Sequence, residues 1–535
     1  MIKYNAQMAK RIQQALRRGS ENLLLSDDAV AWTGREVSEK ISELRLYIER
    51  TTAEGHHIGV SFPNSATQAL VLLAILSCRR VPVILSHADL SPNPEEIINL
   101  AQLAMIITLP THKKLLPLFM PVLYLDMQGN IEGSSSPLVN FLARRYPISL
   151  AGTALVLFTS GSTGTPKGVH VPETGLLATV DFLTEYFGLN ETTKSTIVLP
   201  ICHSMGLNTQ FFPTFFAGGH CFFMNSWLGA NRIYKTIQEQ QGCFISAIGE
   251  VLQICWEEQK RRNLGPAPAV RHVQLAGGMI TERHLNMARE IFPNAIIHKG
   301  YGLTEGIRVT MSNSQQESFL SDSVGKPLPF VEVEIRENGQ PVRPGEVGEI
   351  HIKGPNVMVG VTGSNVAATG SDGFLPTGDL GYWNELSEIC IVGRSDSLFK
   401  FNGRKVSGHE IEKIALESSN LINHAKCILM DDSARGRDKL VLLLEVSPER
   451  QDFFLKLQLS QISDQILSRF RSLSSFPKEV VLMARFPRKA NGKIALNDLK
   501  TEYVSNRASA ILEHSLATLQ FYRLSNGGPR KGNLF

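Results

Sequence analysis

The sequence lacks long apolar runs, an apolar signal segment and a strong excess of either charge. Its longest apolar run, ALVLLAIL at 69–76, is far too short to span a bilayer. The N-terminus is polar and basic and has no apolar core of the kind that a signal peptide contains. The formal net charge of +4 gives no reason to expect nucleic acid as the main partner. These absences predict a cytoplasmic protein with no transmembrane segment and no nucleic-acid partner.

Paired cysteines are also lacking. The seven cysteines are scattered and odd in number, and none forms a C-x-x-C pair. The sequence therefore predicts reduced thiols, with neither a disulfide framework nor a zinc site.

The order of apolar runs predicts the fold class. A chain of 535 residues is too long for one hydrophobic core, so at least two domains are expected. From about 57 to 300, strand-like runs such as HIGVSF alternate with helical patterns, which predicts α/β layers with largely parallel strands. After about 320, period-two alternation broken by Asn-Gly and Pro-Gly predicts hairpins and a small β unit. From about 397, short strands mixed with helices predict a separate α+β module.

The stretch LFTSGSTGTPKGVHV at 157–171 combines three glycines, several hydroxyl side chains and one lysine directly after a predicted strand. It is not a nucleotide P-loop, because that pattern needs glycine at 166 and serine or threonine at 168, where the chain has Pro166 and Gly168. Backbone amides beside glycine can still approach an anion closely, and Lys167 adds charge. A Ser/Gly surface loop is the alternative, and the Pro-Lys-Gly ending favours a phosphate loop.

Five ordered motifs resemble those of the adenylate-forming superfamily, which includes acyl-CoA synthetases, peptide-synthetase adenylation domains and luciferases. They are the loop above, GYGLTEG at 300–306, PTGDLGYW at 376–383, GRSDSLFKFNGRKVSGHEIE at 393–412 and PRKANGKI at 487–494. The resemblance runs from about 20 to 500. It implies an α/β fold with a large N-terminal domain of layered α/β subdomains plus a small β unit, and a small mobile α+β C-terminal lid domain.

The resemblance also implies domain boundaries. It places the N-terminal AMP-binding domain at 1–394, a hinge at 395–396 that includes Asp396, the lid at 397–510 and a C-terminal tail at 511–535. Two positions depart from the family pattern. Ser397 stands where the hinge motif commonly has an acidic residue, and Leu496 stands where relatives often have arginine. Neither departure removes a group needed for adenylate formation, but both bear on the second half-reaction.

The implied reaction has two steps. A carboxylate attacks the α-phosphate of ATP to give acyl-AMP and pyrophosphate, and the thiol of CoA then displaces AMP. The implied cofactors are ATP, Mg²⁺ and CoA, or the phosphopantetheine of a carrier protein in trans. A stand-alone enzyme that loads a carrier protein is the alternative. A degenerate nucleotide-binding protein is less favoured, because Lys167, Thr304, Glu305, Asp379 and Lys493 are all present.

The resemblance assigns roles in ATP binding residue by residue. The phosphate loop consists of Thr159, Ser160, Gly161, Ser162, Thr163, Gly164, Thr165 and Lys167. The adenine slot consists of Gly277, Gly278, Tyr301 and Gly302. Asp379 would hold the ribose, since a carboxylate can accept from two hydroxyls, and Arg394 would reach the ribose or the phosphate. A surface salt bridge is the alternative role for Arg394.

The same resemblance names the groups at the reacting phosphate. Thr304 would donate to the α-phosphate, Glu305 would bind Mg²⁺, and Lys493 would be the catalytic cation that touches both the carboxylate and the α-phosphate. The alternatives are a helix-capping role for the Thr-Glu pair and a plain surface position for the lysine.

The segment LPICHSMGL at 199–207 resembles the acyl and aryl acid branch of the superfamily, with His203 near the carboxylate and Leu207 beside the acid. A core histidine is the alternative for His203. No acidic residue occurs from Ile201 to Gly219, which disfavours an α-amino acid, because a buried ammonium group without a partner is costly. The four phenylalanines that follow, Phe211, Phe212, Phe215 and Phe216, are expected mostly to pack the core.

Overall fold

The computed structural model describes the chain as a set of α/β layers followed by two smaller units. The described residues are 4–86, 94–117, 120–135, 149–160, 166–225, 232–316, 319, 322–364, 369–395, 398–401, 404–419, 421–432, 437–446, 479–488, 494–507, 511–516 and 519–523. None of the helices in these ranges is both long and apolar enough to cross a membrane.

The helices are spread over the whole chain. They are α1 (Ala6–Arg18), α2 (Gly34–Thr51), α3 (Ala66–Ser77), α4 (Pro94–Ala101), α5 (Glu173–Tyr186), α6 (Ser204–Gly206), α7 (Phe212–Phe216), α8 (Ile233–Gln240), α9 (Gly249–Arg262), α10 (Glu282–Ile291), α11 (Gly408–Ser418) and α12 (Leu496–Arg507). A 3₁₀-helix covers Pro110–Lys114, and a π-helical turn covers Leu207–Phe211.

In the described part of the chain, the strands form five sheets. They are β1 (Leu23–Ser26), β2 (Ala31–Thr33), β3 (His57–Ser61), β4 (Val81–Ile84), β5 (Met105–Thr108), β6 (Val122–Leu125), β7 (Ile131–Ser135), β8 (Thr153–Ser160), β9 (Pro166–Pro172), β10 (Lys194–Ile197), β11 (His220–Phe223), β12 (Phe244–Ala247), β13 (His272–Leu275), β14 (Ile296–Lys299), β15 (Thr310–Asn313), β16 (Lys326–Pro327), β17 (Glu332–Glu337), β18 (Gln340–Pro341), β19 (Gly348–Lys353), β20 (Gly360–Val361), β21 (Leu375–Trp383), β22 (Ile389–Arg394), β23 (Leu398–Phe401), β24 (Arg404–Ser407), β25 (His424–Asp432), β26 (Arg437–Glu445), β27 (Glu479–Met483), β28 (Ile511–Leu516) and β29 (Leu519–Arg523).

Two large sheets make up the α/β part. One has eight strands in the order β20-β9-β8-β4-β3-β5-β6-β7, and the other has nine in the order β16-β15-β14-β13-β12-β10-β11-β1-β2. Their inner strands pair in parallel, including β4 with β3 and β8, and β13 with β12 and β14. The predicted α/β layers with largely parallel strands are therefore confirmed.

The main core is centred on α3. Ser65 caps this helix, since its hydroxyl accepts a hydrogen bond from the backbone N–H of Gln68 at 3.2 Å. Eleven of the twelve residues of α3 are buried, as expected of a helix that is apolar on all sides. Its leucines share one apolar cluster with β1 and β3, which belong to different sheets. The same buried helix therefore packs against both sheets.

The small β unit is an antiparallel sheet in the order β18-β17-β19-β21-β22. Alternate residues of β19 are buried, among them Ile350 and Ile352. These two side chains share an apolar cluster with Leu183 of α5 and with Phe187. The predicted small β unit is confirmed, and it packs against a helix of the α/β layers.

The C-terminal unit contains the β23-β24 hairpin, α11, α12 and a sheet in the order β25-β26-β27-β29-β28. This arrangement confirms the predicted α+β module. The tail predicted from 511 is wrong for β28 and β29, because these two strands pair with each other and β29 pairs in parallel with β27. The hinge and the boundary at 397 stay predictions, since Asp396 and Ser397 lie outside the described residues.

Gly175 provides a test of how closely the layers approach. A Cβ at this position in α5 would overlap the carbonyl oxygen of Pro355 and the Cα of Asn356. We expect Gly175→Ala to destabilise the protein by about 1–3 kcal/mol or more, the usual cost of overpacking a dense interior. Gly265→Ala is the matched control, because no described atom lies within 4 Å of its added Cβ. Urea unfolding of both variants decides the point, and equal midpoints would contradict the packing described here.

Candidate nucleotide and acid site

The phosphate loop is carried by a hairpin of β8 and β9. The strands pair antiparallel, with Thr159 opposite Lys167 and Ser160 opposite Pro166. The five residues between them, Gly161, Ser162, Thr163, Gly164 and Thr165, lie outside the described residues. The structure thus places the two ends of the predicted loop side by side, and the roles of its residues stay predictions.

The base of this hairpin is held by a contact from Thr362, just after β20. The N–H of Thr362 donates to the carbonyl of Gly168 at 2.8 Å, and its hydroxyl lies 3.1 Å from Nε2 of His170. Burial, with His57 as a further cause, lowers the pKa of His170 to about 3, so this imidazole is neutral at physiological pH. The strand that carries Lys167 is therefore fixed by polar contacts on one edge and by β8 on the other.

The predicted adenine slot lies beyond the ends of β13 and β14. These strands are parallel neighbours, with Leu275 opposite Lys299. Gly277 and Tyr301 each follow this pair by two residues, so both lie at the carboxyl edge of the sheet, where ligands of open α/β sheets bind. Gly278 borders open space, since no described atom lies within 4 Å of where its Cβ would be.

Two further features explain the glycines of this slot. Gly277 has φ of +85°, a conformation that favours glycine over any residue with a Cβ. A Cβ on Gly302 would overlap the carbonyl oxygen of Ile307. The backbone of the slot therefore depends on glycine at both positions, whether or not a nucleotide is bound.

The loop that follows β14 carries Thr304 and Glu305, and buried groups hold its backbone. Asn356 is fully buried and donates through Nδ2 to the carbonyl of Gly306 at 2.7 Å. The N–H of Met358 donates to the carbonyl of Glu305 at 2.8 Å. These bonds fix the direction in which the loop leaves the sheet, so they position both predicted groups at the same edge as the adenine slot.

Three predicted residues meet at one carboxylate. The hydroxyl of Tyr301 donates to Oδ2 of Asp379 at 2.6 Å, and Nη1 of Arg394 donates to Oδ1 at 3.2 Å. Asp379 and Arg394 are cross-strand partners of β21 and β22. Burial, reinforced by the carboxylate, holds the pKa of Tyr301 well above its ordinary value, so the phenol keeps its proton. The carboxylate is therefore oriented by one neutral and one cationic donor.

A carboxylate held in this way can still bind a ribose. Its two oxygens are charged acceptors, which suit the two hydroxyl donors of a ribose. The side chain of Asp379 is 13% exposed and that of Arg394 is 51% exposed, so the site opens on the side of the arginine.

The acid segment follows β10. His203 is partly exposed and immediately precedes the short helix α6. Leu207 is fully buried in the main apolar cluster and begins the π-helical turn Leu207–Phe211. A π-helical turn is rare and often occurs at functional sites. The contacts of His203 and Leu207 with an acid stay predictions.

The four phenylalanines of this segment pack the core as predicted. Each is at most 6% exposed, and all belong to the main apolar cluster. They are Phe211, Phe212, Phe215 and Phe216.

A magnesium ion would need oxygen ligands from outside the chain. In the described part of the chain, no group of three or more His, Cys, Asp or Glu side chains could hold a metal ion by itself. Glu305 fits the usual binding of Mg²⁺ by one or two carboxylates together with substrate phosphates. Lys493 lies outside the described residues, and its catalytic role stays a prediction.

Sequence reasoning missed two features of the site. The bond between Tyr301 and Asp379 joins residues 78 positions apart, and no local pattern signals it. Arg308 is 2% exposed and was not singled out, although a lone charge between Ile307 and Val309 is a signal of a buried polar role.

The family model described as AMP-binding enzyme matches residues 12–361. The chain belongs to this family. The family membership predicted from the five motifs is therefore confirmed.

Similar proteins include curated ligases and solved structures. A probable CoA ligase of Humulus lupulus is 23% identical over 87% of this chain and 90% of the relative. The 2-succinylbenzoate–CoA ligase of Enterococcus faecalis is 25% identical over 88% of this chain and 94% of the relative. The O-succinylbenzoate coenzyme A synthetase of Bacillus subtilis, solved with ATP and a magnesium ion, has a TM-score of 0.73 at 22% identity, covering 92% of this chain and 99% of that chain. The likeness to this synthetase shows that the chain has the same overall fold as the synthetase.

Asp379 provides the direct test of the nucleotide site. We expect Asp379→Ala to weaken AMP binding by about 10- to 100-fold, because hydrogen bonds to a charged group contribute about 1.5–3 kcal/mol. Asp372→Ala is the control, since Asp372, in the loop before β21, pairs with Arg336 of β17 and is not one of the predicted site residues. Isothermal titration calorimetry measures both variants, and an unchanged dissociation constant for Asp379→Ala would rule out the ribose role.

Proposed function

We propose that the protein is an AMP-forming acid–thiol ligase. It activates a carboxylic acid with ATP to acyl-AMP, releases pyrophosphate and transfers the acyl group to the thiol of CoA. The observation that carries this proposal is the carboxylate of Asp379, oriented by Tyr301 and Arg394 beside the Thr304–Glu305 loop in a chain of the AMP-binding family. The relatives' names support the ligase activity, since those described above are called CoA ligases.

The first step brings together two anions, the acid and the triphosphate. Oriented donors and positive charge must therefore stabilise the charge that builds up at the α-phosphate. The loop Thr159–Gly168 binds the β- and γ-phosphates, and Thr304 donates to the α-phosphate. Glu305, together with phosphate oxygens, would hold Mg²⁺, which would supply positive charge against the phosphates. Tyr301 and the Gly277–Gly278 turn flank the adenine, while Asp379 accepts from the ribose hydroxyls.

Lys493 supplies the cation that touches the acid and the α-phosphate together. One cleft must serve both steps. The thiol reaches the acyl carbon only after the lysine has moved out of the cleft. A rotation of the C-terminal unit about Asp396 provides this exchange, in the usual form of a hinge. Ser397 lies in the hinge motif and Leu496 lies just after the motif that contains Lys493, so both bear on the rate of the second step.

The acid is a fatty or aryl acid rather than an α-amino acid. The segment Ile201–Gly219 contains no carboxylate that could pair with an α-ammonium group. His203 lies at the start of this segment, where it positions the carboxylate of the acid, and Leu207 contacts the acyl portion.

CoA is the proposed thiol, and the compartment is the cytoplasm. No observation favours a carrier protein over CoA, and the relatives described above are named as CoA ligases. A 2-succinylbenzoate–CoA ligase of Arabidopsis thaliana is described as chloroplastic or peroxisomal, so membership of the family does not by itself fix the compartment.

Pyrophosphate release tests this function directly. The purified protein is offered ATP, Mg²⁺ and a panel of fatty and aryl acids, with CoA and a phosphopantetheinylated carrier protein supplied in separate reactions. We expect pyrophosphate release that depends on the acid, and thioester formation with CoA. Release that never depends on an acid would contradict the function, and thioester on the carrier alone would replace CoA by the carrier.

The variant Lys493→Ala tests the two steps separately. It should slow acyl-AMP formation by about 10²- to 10³-fold, the usual effect of losing one oriented donor to the transition state. Thioester formation from supplied acyl-AMP should change much less. Lys500→Ala, on the following helix, should affect neither step, and equal losses in both steps for Lys493→Ala would indicate general damage.

A further inference from the structure

Arg308 is a buried cation without an ionic partner in the described part of the chain. It is 2% exposed, and its guanidinium makes one long hydrogen bond, from Nη2 to Oγ1 of Thr209 at 3.3 Å. Its Nε is buried and has no hydrogen-bond acceptor. Burial alone lowers the pKa of Arg308 to about 10, and no neighbouring carboxylate offsets it. At neutral pH the side chain is therefore a charged group with most of its five donors unused.

The fold satisfies its other buried arginine quite differently. Arg80 is 7% exposed and donates to the carbonyls of Thr52 and Cys78 and to the hydroxyl of Thr52. A buried charge normally receives such compensation, because desolvation without it costs several kcal/mol. The contrast indicates that the donors of Arg308 are available to a group other than the described residues.

The position of the guanidinium indicates which ligand could supply that group. Its Nη1 lies 2.5 Å from where a Cβ on Gly300 would be, so it packs directly against the start of the loop that carries Thr304. Its Nη2 contacts Thr209 in the π-helical turn that follows His203 and Leu207. The guanidinium therefore lies between the nucleotide loop and the acid segment.

The polar side chains near Arg308 offer its guanidinium no negative charge. The hydroxyl of Thr209 already donates to the carbonyl of Met205 at 2.8 Å and accepts from Nε2 of Gln274 at 2.8 Å. Gln274 also donates to the hydroxyl of Ser246 at 3.2 Å. These side chains are almost fully buried, and none carries a negative charge. A planar anion is what a guanidinium fork binds best, through two parallel hydrogen bonds.

We propose that Arg308 binds a second carboxylate of the acid substrate, so that the protein activates dicarboxylic acids in preference to monocarboxylic ones. This inference rests on the proposed ligase function. One carboxylate of the acid faces the α-phosphate and reacts, while the other forms a bidentate pair with Arg308 and stays unreacted. The buried charge is then paired only when the correct acid is bound.

Matched acid pairs test the inference. The wild-type protein is assayed for ATP–pyrophosphate exchange with phthalic, isophthalic, terephthalic, succinic and glutaric acids, each against its own monomethyl ester. The ester keeps the reacting carboxylate and removes one charge. We expect kcat/KM for at least one diacid to exceed that of its half-ester by about 10²-fold or more, the scale for breaking a buried charged pair. Half-esters that equal or exceed the diacids in every pair would overturn the inference.

Variants show whether Arg308 is the cause. Arg308→Met should abolish the difference between diacid and half-ester, while Arg289→Met, on the exposed side of α10 beside Glu282, should keep it. A difference that persists in Arg308→Met would overturn the inference. If that variant fails to fold, Arg308→Lys replaces it. Lysine keeps the charge and loses the fork, so the difference should shrink, and an unchanged difference would again overturn the inference.

A binding readout separates this inference from the ligase function. Thermal shifts of the wild-type protein with a non-hydrolysable ATP analogue should be larger with the preferred diacid than with its half-ester, and equal in Arg308→Met. If Arg308 were purely structural, Arg308→Met would change the melting temperature of the free protein. The diacid would still give a larger thermal shift than its half-ester. Exchange supported by half-esters alone overturns only the inference, whereas no exchange with any acid counts against the ligase function itself.

Discussion

The hydrogen bond from Tyr301 to Asp379 joins two parts of the molecule that also share one apolar cluster. Tyr301 follows a parallel strand of the nine-stranded sheet, and Asp379 lies in the antiparallel β unit. In the proposed nucleotide site, this bond and the ion pair with Arg394 hold the carboxylate at the edge of the large sheet. The proposed site therefore depends on how the large sheet and the β unit pack against each other.

Among the described residues, the interior contains neutral and charged polar groups as well as apolar side chains. Buried histidines such as His170 and His298 are neutral, because burial lowers the pKa of each to about 3. They add no charge and are held by neighbouring polar or aromatic groups. Arg308 is different, since its charge persists and the described residues give it no counter-charge. Such an uncompensated group is expected where a ligand completes the structure.

The sequence allowed the layers, the β unit and the strand before the phosphate loop to be predicted, because buried parallel strands appear as continuous apolar runs and glycine marks the turns between them. The sequence did not predict the hydrogen bond between Tyr301 and Asp379, and it did not predict the partners of Arg308. Both depend on the register and packing of distant strands, which no local pattern contains. The two C-terminal strands after 511 were missed for the same reason, since the pairing of β29 with β27 and of β28 with β29 is what defines them.

A crystal structure of the protein with AMP tests the central claim most directly. The account predicts that both ribose hydroxyl oxygens lie about 2.5–3.0 Å from the carboxylate oxygens of Asp379, as in short charge-assisted hydrogen bonds, with Tyr301 and Arg394 still in contact with that carboxylate. A ribose bound elsewhere, or one that touches the protein without contacting Asp379, would contradict it.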